Sequence, residues 1–272
     1  WDTLYARFDE IQNESVLSIY TDTALGLKPM VQVAEALAQK YDVVVTNPPY
    51  MAVSNAGAKV NDYVKRNFPD SKADLFSVFI ERCGQMAKKN GYQAMITQHA
   101  WMFLSSFEKL RTKLLAVDIV NMAHLGARAF EEIGGEVVQT TSFVIRKSHI
   151  ADYKGEYCRL IEPTSQQGKE DMFLSGENRY AADQSNFSKI PGSPVAYWVS
   201  EGLLSAFATG KSLGDIALAR NGMKTGENGR FVRLWWEVIL QGFNPTACDW
   251  KEASSSGAKW FPYNKGGEFR KW

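Results

Sequence analysis

Cysteine and histidine are both scarce in this chain of 272 residues, which contains three of each. The cysteines, Cys83, Cys158 and Cys248, show no Cys-x-x-Cys spacing, so the sequence indicates neither a zinc knuckle nor a disulfide framework. The histidines lie far apart along the chain and follow no metal-ligand pattern; they are His99, His124 and His149. We therefore expect no metal site, and we interpret the histidines as structural or surface residues.

The sequence also lacks a signal peptide and any long apolar segment. A membrane-spanning helix needs roughly 20 predominantly apolar residues, so we expect a soluble, cytoplasmic protein with no membrane partner. An excess of one charge is lacking too, because the net charge is +1 and the isoelectric point is near 7.8. The overall charge does not indicate a nucleic-acid partner, and only local basic patches could do so.

The most informative segment is Asn47-Pro48-Pro49-Tyr50, which directly follows the apolar run 41–46. The β-branched residues of that run predict a buried parallel strand. Two prolines fix the backbone and donate no N–H, so the strand must end abruptly in a rigid loop. In open α/β sheets such a loop lies where ligands bind. Its amide oxygen, free carbonyls and aromatic ring suit a planar group that carries an amine.

Helical and strand patterns alternate around this motif, which predicts an α/β fold with a doubly wound, Rossmann-like sheet. Pro29 is expected in the first turn of a helix that runs to about Lys40. Ser71 is expected to cap a helix that ends at Lys88 to Gly91, and Ser105 with Glu108 to start another. The further predicted strands are 92–97, 118–125 and 136–147.

Asn-Pro-Pro-Tyr after a strand resembles the catalytic motif of S-adenosylmethionine-dependent methyltransferases that modify exocyclic amines of DNA bases. The chain is similar to the adenine-N6 branch, in which the catalytic domain precedes the target-recognition domain. The resemblance implies that Asn47 and the Pro48 carbonyl accept hydrogen bonds from the target amine. It also implies that Tyr50 stacks on a flipped-out adenine.

Later segments resemble the family as well. The resemblance places Pro49, Asp74 and Phe76 in the pocket for the target base and the cofactor. A structural role is also open for two of them, because Asp74 lies at a predicted helix start and Phe76 on an apolar helix face. Gln98, His99 and Trp101 fall at the carboxyl end of a strand, and we favour core packing for Trp101. The segment 134–145 resembles the hairpin that borders the base pocket, where Phe143 is as consistent with the core as with the base.

One family feature is missing. S-adenosylmethionine is the cofactor that the resemblance implies, but its glycine-rich loop does not precede the motif; Gly26 is the only glycine there. Glu10, Glu14 and Asp22 are unranked candidates for binding the cofactor ribose. Since the sequence starts at Trp1, we expect a fragment that lacks the loop, with an incomplete sheet and no activity by itself.

Composition changes along the chain predict three parts. We expect a partial catalytic domain at 1–163, a connecting segment at 164–193, and the start of an α+β target-recognition domain at 194–272. From residue 186 onward there are 11 Lys and Arg against 7 Asp and Glu. Two segments, 219–233 and 259–272, combine glycines, basic residues and aromatics, a mixture suited to phosphate contact and base stacking. The predicted DNA-binding residues are Arg220, Lys224, Arg230, Lys259, Trp260, Tyr263, Asn264 and Lys265.

These two segments resemble the start of the target-recognition domain in large Eco57I-like and BREX phage-defence adenine methyltransferases. The leading hypothesis is therefore an adenine-N6 methyltransferase acting on double-stranded DNA, together with restriction or phage-defence subunits. A second is methylation of a protein glutamine amide or an RNA base amine. A third is a non-catalytic DNA-binding module. By contrast, Trp235 and Trp236 are expected in the core.

Overall fold

The computed structural model describes residues 1–13, 19–130, 138–218 and 224–263. The chain divides into two compact units, Trp1–Lys211 and Ser212–Trp272. Within the described ranges, none of the helices combines the length and the apolar character that crossing a membrane would require.

The first unit alternates helices with strands. Its helices are α1 (Asp2–Asn13), α2 (Ile19–Ala38), α3 (Ala58–Asn67), α4 (Leu75–Met86), α5 (Glu108–Leu114), α6 (Gln166–Ser175) and α7 (Glu201–Thr209). Its strands are β1 (Tyr41–Thr46), β2 (Ala87–Gln98), β3 (Asp118–Gly126), β4 (Thr140–Arg146), β5 (Lys154–Arg159) and β6 (Arg179–Asp183). Short 3-10 turns lie at Val53–Asn55, His99–Met102, Ser105–Phe107 and Gln184–Lys189.

The six strands form one sheet in the order β1-β2-β4-β3-β5-β6. β1 is parallel to β2 and β3 is parallel to β5, whereas β4 runs antiparallel to both of its neighbours and β6 runs antiparallel to β5. The expected α/β class is confirmed, with a mixed rather than wholly parallel sheet. The carboxyl ends of β1, β2, β3 and β5 therefore lie at the same end of the sheet, where the loop after β1 is also found.

The main core fills the space between the sheet and the helices α4 and α5, with apolar side chains from all of them. Trp101 and Phe143 are both fully buried in this core, so the interpretation of Trp101 as a packing residue is confirmed. Trp101 Nε1 donates a hydrogen bond to Thr97 Oγ1 at 3.1 Å, which satisfies its buried N–H.

Two local predictions about helix ends were wrong. Pro29 lies inside α2 rather than in its first turn, because the helix already begins at Ile19. Residues 88–91 belong to β2 and do not close α4. There Asn90 adopts a φ of 64° beside an irregularity in the pairing with β1. A Cβ on Gly91 would come within 2.9 Å of the Asp42 carbonyl oxygen, so this close approach requires glycine.

Two caps also differ from expectation. The N-cap of α4 is Asp74 and not Ser71, and α5 begins at Glu108 after a 3-10 turn without a side-chain cap. Competition among several polar residues in one short stretch explains the first difference. Any of them can cap a helix, and tertiary contacts choose between them.

Residues 164–193 are more structured than a connecting segment, because they form α6 and the edge strand β6. Lys169 in α6 is buried and donates to the carbonyl oxygens of Leu125 and Leu160 at 2.6 Å each. Gln184 follows β6 and donates to the carbonyl oxygens of Leu115 and Val117. These contacts attach the segment to the first unit, which continues to Lys211.

In residues 212–218 and 224–263, the second unit forms short elements: α8 (Leu213–Ile216), α9 (Asn228–Phe231), α10 (Trp250–Ser255) and 3-10 turns at Trp235–Glu237 and Leu240–Gly242. The expectation that Trp235 and Trp236 form a core was wrong, since their exposed fractions are 77% and 63%. Apolar sequence alone predicts burial, but the described part of this unit offers too few packing elements to cover them.

Candidate active site

The loop Asn47–Tyr50 leaves the carboxyl end of β1, as its sequence predicts. The expectation that this strand is buried was wrong, because β1 lies at the edge of the sheet and Val43 and Val45 are 54% and 71% exposed. Its residues alternate in exposure: Asn47 and Pro49 are exposed, Pro48 is buried and Tyr50 is half-buried. Within the described ranges the side-chain amide of Asn47 makes no hydrogen bond. The loop therefore presents an unpaired amide on a backbone that two prolines hold rigid. Such an amide can accept a hydrogen bond from a ligand's amine.

Asp74 holds the carboxyl end of this loop in place. Its Oδ1 accepts hydrogen bonds from the backbone N–H of Met51 at 3.0 Å and of Phe76 at 3.2 Å. A further backbone bond joins Leu75 N–H to the Met51 carbonyl at 2.9 Å. Burial raises the pKa of Asp74, while the hydrogen bonds from Phe76 and Met51 act in the opposite direction. The carboxylate thus caps α4 and anchors the residue that follows Tyr50.

Tyr50 rests on a small aromatic cluster. Its ring meets Phe76 edge-on with 6.3 Å between centroids, and Phe76 lies 5.7 Å from Phe107. Phe76 is 1% exposed, so in this structure its ring supports Tyr50 and offers no surface to a ligand. The Tyr50 hydroxyl is buried without a hydrogen-bond partner among the described residues, and burial raises the pKa of Tyr50 to about 12. Tyr50 therefore acts as an uncharged aromatic group.

The structure also brings together residues that the sequence did not connect. His99 follows β2 and His124 lies on β3, and their rings share a hydrogen bond of 2.8 Å between Nδ1 of His99 and Nε2 of His124. Nδ1 of His124 lies 3.2 Å from the hydroxyl of Tyr197. His124 is buried and His99 is half-buried, in keeping with their interpretation as structural residues, but the sequence did not indicate that the two rings would pair. Only the sheet order, in which β4 separates β2 from β3, makes them neighbours.

The described residues do not form a cofactor site. Gly26 lies inside α2, where it cannot form a glycine-rich loop. Glu10 is paired with Arg7 and Asp22 is exposed on α2, while Glu14 lies outside the described residues. The described residues therefore do not fit a complete S-adenosylmethionine site. In the described ranges, no cluster of three or more His, Cys, Asp or Glu could hold a metal ion.

In the second unit, the two segments predicted to bind DNA meet at Trp260. Lys259 Nζ lies 5.4 Å from the centre of the Trp260 ring, and the guanidinium of Arg233 lies 6.0 Å from it. Backbone bonds from Lys259 and Trp260 to the Gly242 carbonyl fix this part of the chain. An indole between two cations from different segments is suited to contact with a nucleic acid.

The other predicted DNA-binding residues fall into two groups. Lys224 and Arg230 are exposed, and Tyr263 is half-buried. Arg220, Asn264 and Lys265 lie outside the described residues, as do residues 134–137 of the segment 134–145, whose remaining residues lead into β4 and form most of it. Their predicted roles stay predictions.

Residues 5–130, which include the whole Asn47–Tyr50 loop, match the Eco57I restriction-modification methylase family, and the expected family resemblance is thereby confirmed. Among relatives, the adenine-specific methyltransferase PglX of Lacticaseibacillus casei (strain Zhang) is 46% identical over 90% of this chain and 21% of its own length. The adenine-specific methyltransferase BrxX of Escherichia coli O9:H4 (strain HS) is 41% identical over 92% of this chain and 20% of its own length. The chain thus spans about a fifth of the length of these two relatives.

Among solved structures, a DrdV–DNA complex aligns with 64% of this chain and 20% of its own chain, at 16% identity and a TM-score of 0.46.

Proposed function

We propose that this chain forms the substrate-holding part of an S-adenosylmethionine-dependent DNA adenine-N6 methyltransferase in a restriction-modification or phage-defence system. The observation that carries the proposal is the exposed amide of Asn47, which has no hydrogen-bond partner among the described residues and lies on a proline-fixed loop at the carboxyl end of β1. The loop lies within the residues that match a methylase family. The names of PglX and BrxX support adenine as the methylated base.

In this proposal the oxygen of the Asn47 amide and the carbonyl of Pro48 accept hydrogen bonds from the N6 amine of an adenine that has left the helix. Two acceptors localise the lone pair on the N6 nitrogen instead of in the ring, which makes the amine more nucleophilic. Tyr50 contributes an uncharged ring against the face of the base. A cofactor loop would come from outside these 272 residues.

The division of labour between the two units belongs to the same proposal. The first unit holds the target base, and the second binds duplex DNA through Trp260 and its flanking cations. Each cation that neutralises one phosphate contributes about −0.9 to the slope of log affinity against log salt. We expect Lys259→Gln to weaken duplex binding and to make that slope shallower by about 0.9. Lys59→Gln, which changes an exposed lysine of the first unit, is the matched control, and an equal slope for both variants would contradict the assignment.

The test of the reaction is a base-resolution methylome of cells that carry the natural protein containing this sequence. It is compared with the Asn47→Ala variant and with Asn55→Ala, which changes another exposed asparagine of the same region. We expect adenine-N6 methylation at one sequence motif, lost in Asn47→Ala and kept in Asn55→Ala. An expressed protein that leaves the DNA unchanged would overturn the proposal. The alternatives to examine would then be an RNA base amine, a protein glutamine amide and a non-catalytic DNA-binding module.

A further inference from the structure

A chain of three polar side chains runs from the interior of the first unit to the end of the sheet that carries the Asn47 loop. It consists of Tyr197, His124 and His99, linked at 3.2 Å and 2.8 Å. Tyr197 and His124 are buried, and His99 is half-buried. Nδ1 of His99 is hydrogen-bonded to His124, whereas Nε2 of His99 has no hydrogen-bond partner among the described residues. Within the described part of the protein, this hydrogen-bonded chain therefore ends in a ring nitrogen without a partner.

The hydrogen bonds decide which nitrogen carries the proton. Burial raises the pKa of Tyr197 well above its usual value, so the phenol keeps its hydrogen and must donate it. Its partner among the described residues is Nδ1 of His124, which must then be an acceptor. The hydrogen of His124 is consequently on Nε2 and is donated to Nδ1 of His99. His99 is left with its hydrogen on Nε2. The opposite arrangement would leave the buried Tyr197 hydrogen unpaired, which is unfavourable.

Both rings are neutral around physiological pH. Burial lowers the pKa of His99, and burial together with the charges of His99, Arg159 and Lys169 lowers the pKa of His124 to about 3. The aromatic ring of Phe103 lies against both, with centroid distances of 5.6 Å to His99 and 5.8 Å to His124. His99 is thus an uncharged donor with a fixed tautomer.

His99 lies on the strand next to the Asn47 loop. β1 and β2 are parallel and Thr46 is paired with Met95, so the residue beside Asn47 is Ile96. His99 lies three residues beyond Ile96. At about 3.3 Å per residue, this places His99 about 10 Å beyond Asn47 in the strand direction. His99 and the Asn47 loop therefore lie at the same end of the sheet, on neighbouring strands. The backbone N–H of His99 also bonds to the Gln139 carbonyl, on the segment that leads into β4.

We propose that His99 binds the target adenine by donating its Nε2 hydrogen to a ring nitrogen of the base, and that His124 and Tyr197 are positioning residues that hold this tautomer. The inference rests on the proposed function. A ring nitrogen fits better than a phosphate oxygen because the donor is neutral and lies against the Phe103 ring, whereas phosphates are bound chiefly by cations. Such a bond adds a contact that distinguishes adenine from cytosine, which also carries an exocyclic amine.

The experiment uses the natural protein and duplex DNA that contains its methylation motif. The target adenine is replaced in turn by 1-deaza-, 3-deaza- and 7-deazaadenine, each of which exchanges one ring nitrogen for C–H. We expect one of the three to lower kcat/KM for the wild type roughly tenfold, the size of one lost hydrogen bond. His99→Phe should show a similar loss on adenine and no further loss with that analogue. His99→Gln, which keeps an N–H donor, should recover part of the activity and the sensitivity.

Equal responses of wild type and His99→Phe to all three analogues would overturn the inference. If His99→Phe does not fold, the wild type alone decides, since a wild type insensitive to every analogue has no ring-nitrogen donor. A positioning role for Tyr197 predicts that Tyr197→Phe reduces the sensitivity to the same analogue and to no other. Wild-type protein that methylates no DNA would instead refute the proposed function, and with it this inference.

Discussion

The hydrogen bonds of Arg111 join the segments of the first unit that carry His99 and Tyr197, and removing them tests how these segments are held together. Its guanidinium is 1% exposed and donates to three backbone carbonyls: Trp101 at 2.9 Å, Leu104 at 2.6 Å and Gly192 at 2.6 Å and 3.0 Å. No carboxylate takes part in these bonds. Arg111 therefore ties the segment after β2, which carries His99, to the segment that leads to Tyr197.

The substitution Arg111→Met keeps an unbranched side chain and removes all the donors. The buried carbonyls of Trp101 and Gly192 lose these donors at a cost of about 1–3 kcal/mol each, whereas the Leu104 carbonyl keeps a bond from the Phe107 N–H. Part of this cost is offset because a buried charge is removed, and burial already lowers the pKa of Arg111. We expect the free energy of unfolding of the first unit to fall by about 3–5 kcal/mol.

Urea unfolding measures this change, and Arg82→Met is the matched control. Arg82 donates a single surface hydrogen bond, to the Leu37 carbonyl at 2.8 Å, so its loss should cost under about 1 kcal/mol. Hydrogen exchange gives a local readout, since the Val195 N–H donates to the Met102 carbonyl and should exchange faster in Arg111→Met. If the two arginine variants were equally stable, the reasoning about Arg111 would be refuted.

Two further predictions concern Asp74 and His124. Asp74→Ala removes the cap of α4 and the bond to Met51. Urea unfolding should therefore show that the free energy of unfolding falls by about 1–2 kcal/mol, and by less for Asp74→Asn. Equal losses in the two variants would contradict the capping role. The folded-state pKa of His124, about 3, is below its ordinary value of 6.5, so its stabilising contribution is complete above pH 6.5 and is lost as pH falls toward 3. When the pH is lowered from 7.5 to 5.5, protonation linked to His124 alone should reduce the free energy of unfolding by about 1.4 kcal/mol. This part of the pH dependence should disappear in His124→Gln and remain in His149→Gln, the control at an exposed residue.

Local sequence patterns predicted the elements closest to the site. The run at 41–46 and the two prolines after it determine the strand and its end without help from distant residues. The α/β class follows from the same alternation of patterns. Asp74 could be recognised as a helix-start residue, but its bond to Met51 joins two segments that the sequence keeps apart.

The remaining features depend on contacts that no local pattern contains. Asn90 and Gly91 have the composition of a helix end, yet the close approach of β1 makes them an irregularity in β2. The pairing of His99 with His124 follows from the strand order. A histidine just past a strand end at the predicted site was the one available signal for it. Trp235 is exposed although its sequence is apolar, because burial depends on what packs against it.

The most direct test of the account is to identify the methylated product in vitro. The purified natural protein is incubated with S-adenosylmethionine and, separately, with duplex DNA, structured RNA and a glutamine-containing peptide, and the products are analysed by mass spectrometry. We predict N6-methyladenine in DNA alone, abolished by Asn47→Ala while duplex binding is largely kept. Methylation of the RNA or the peptide with unmodified DNA, or full activity of Asn47→Ala, would contradict it.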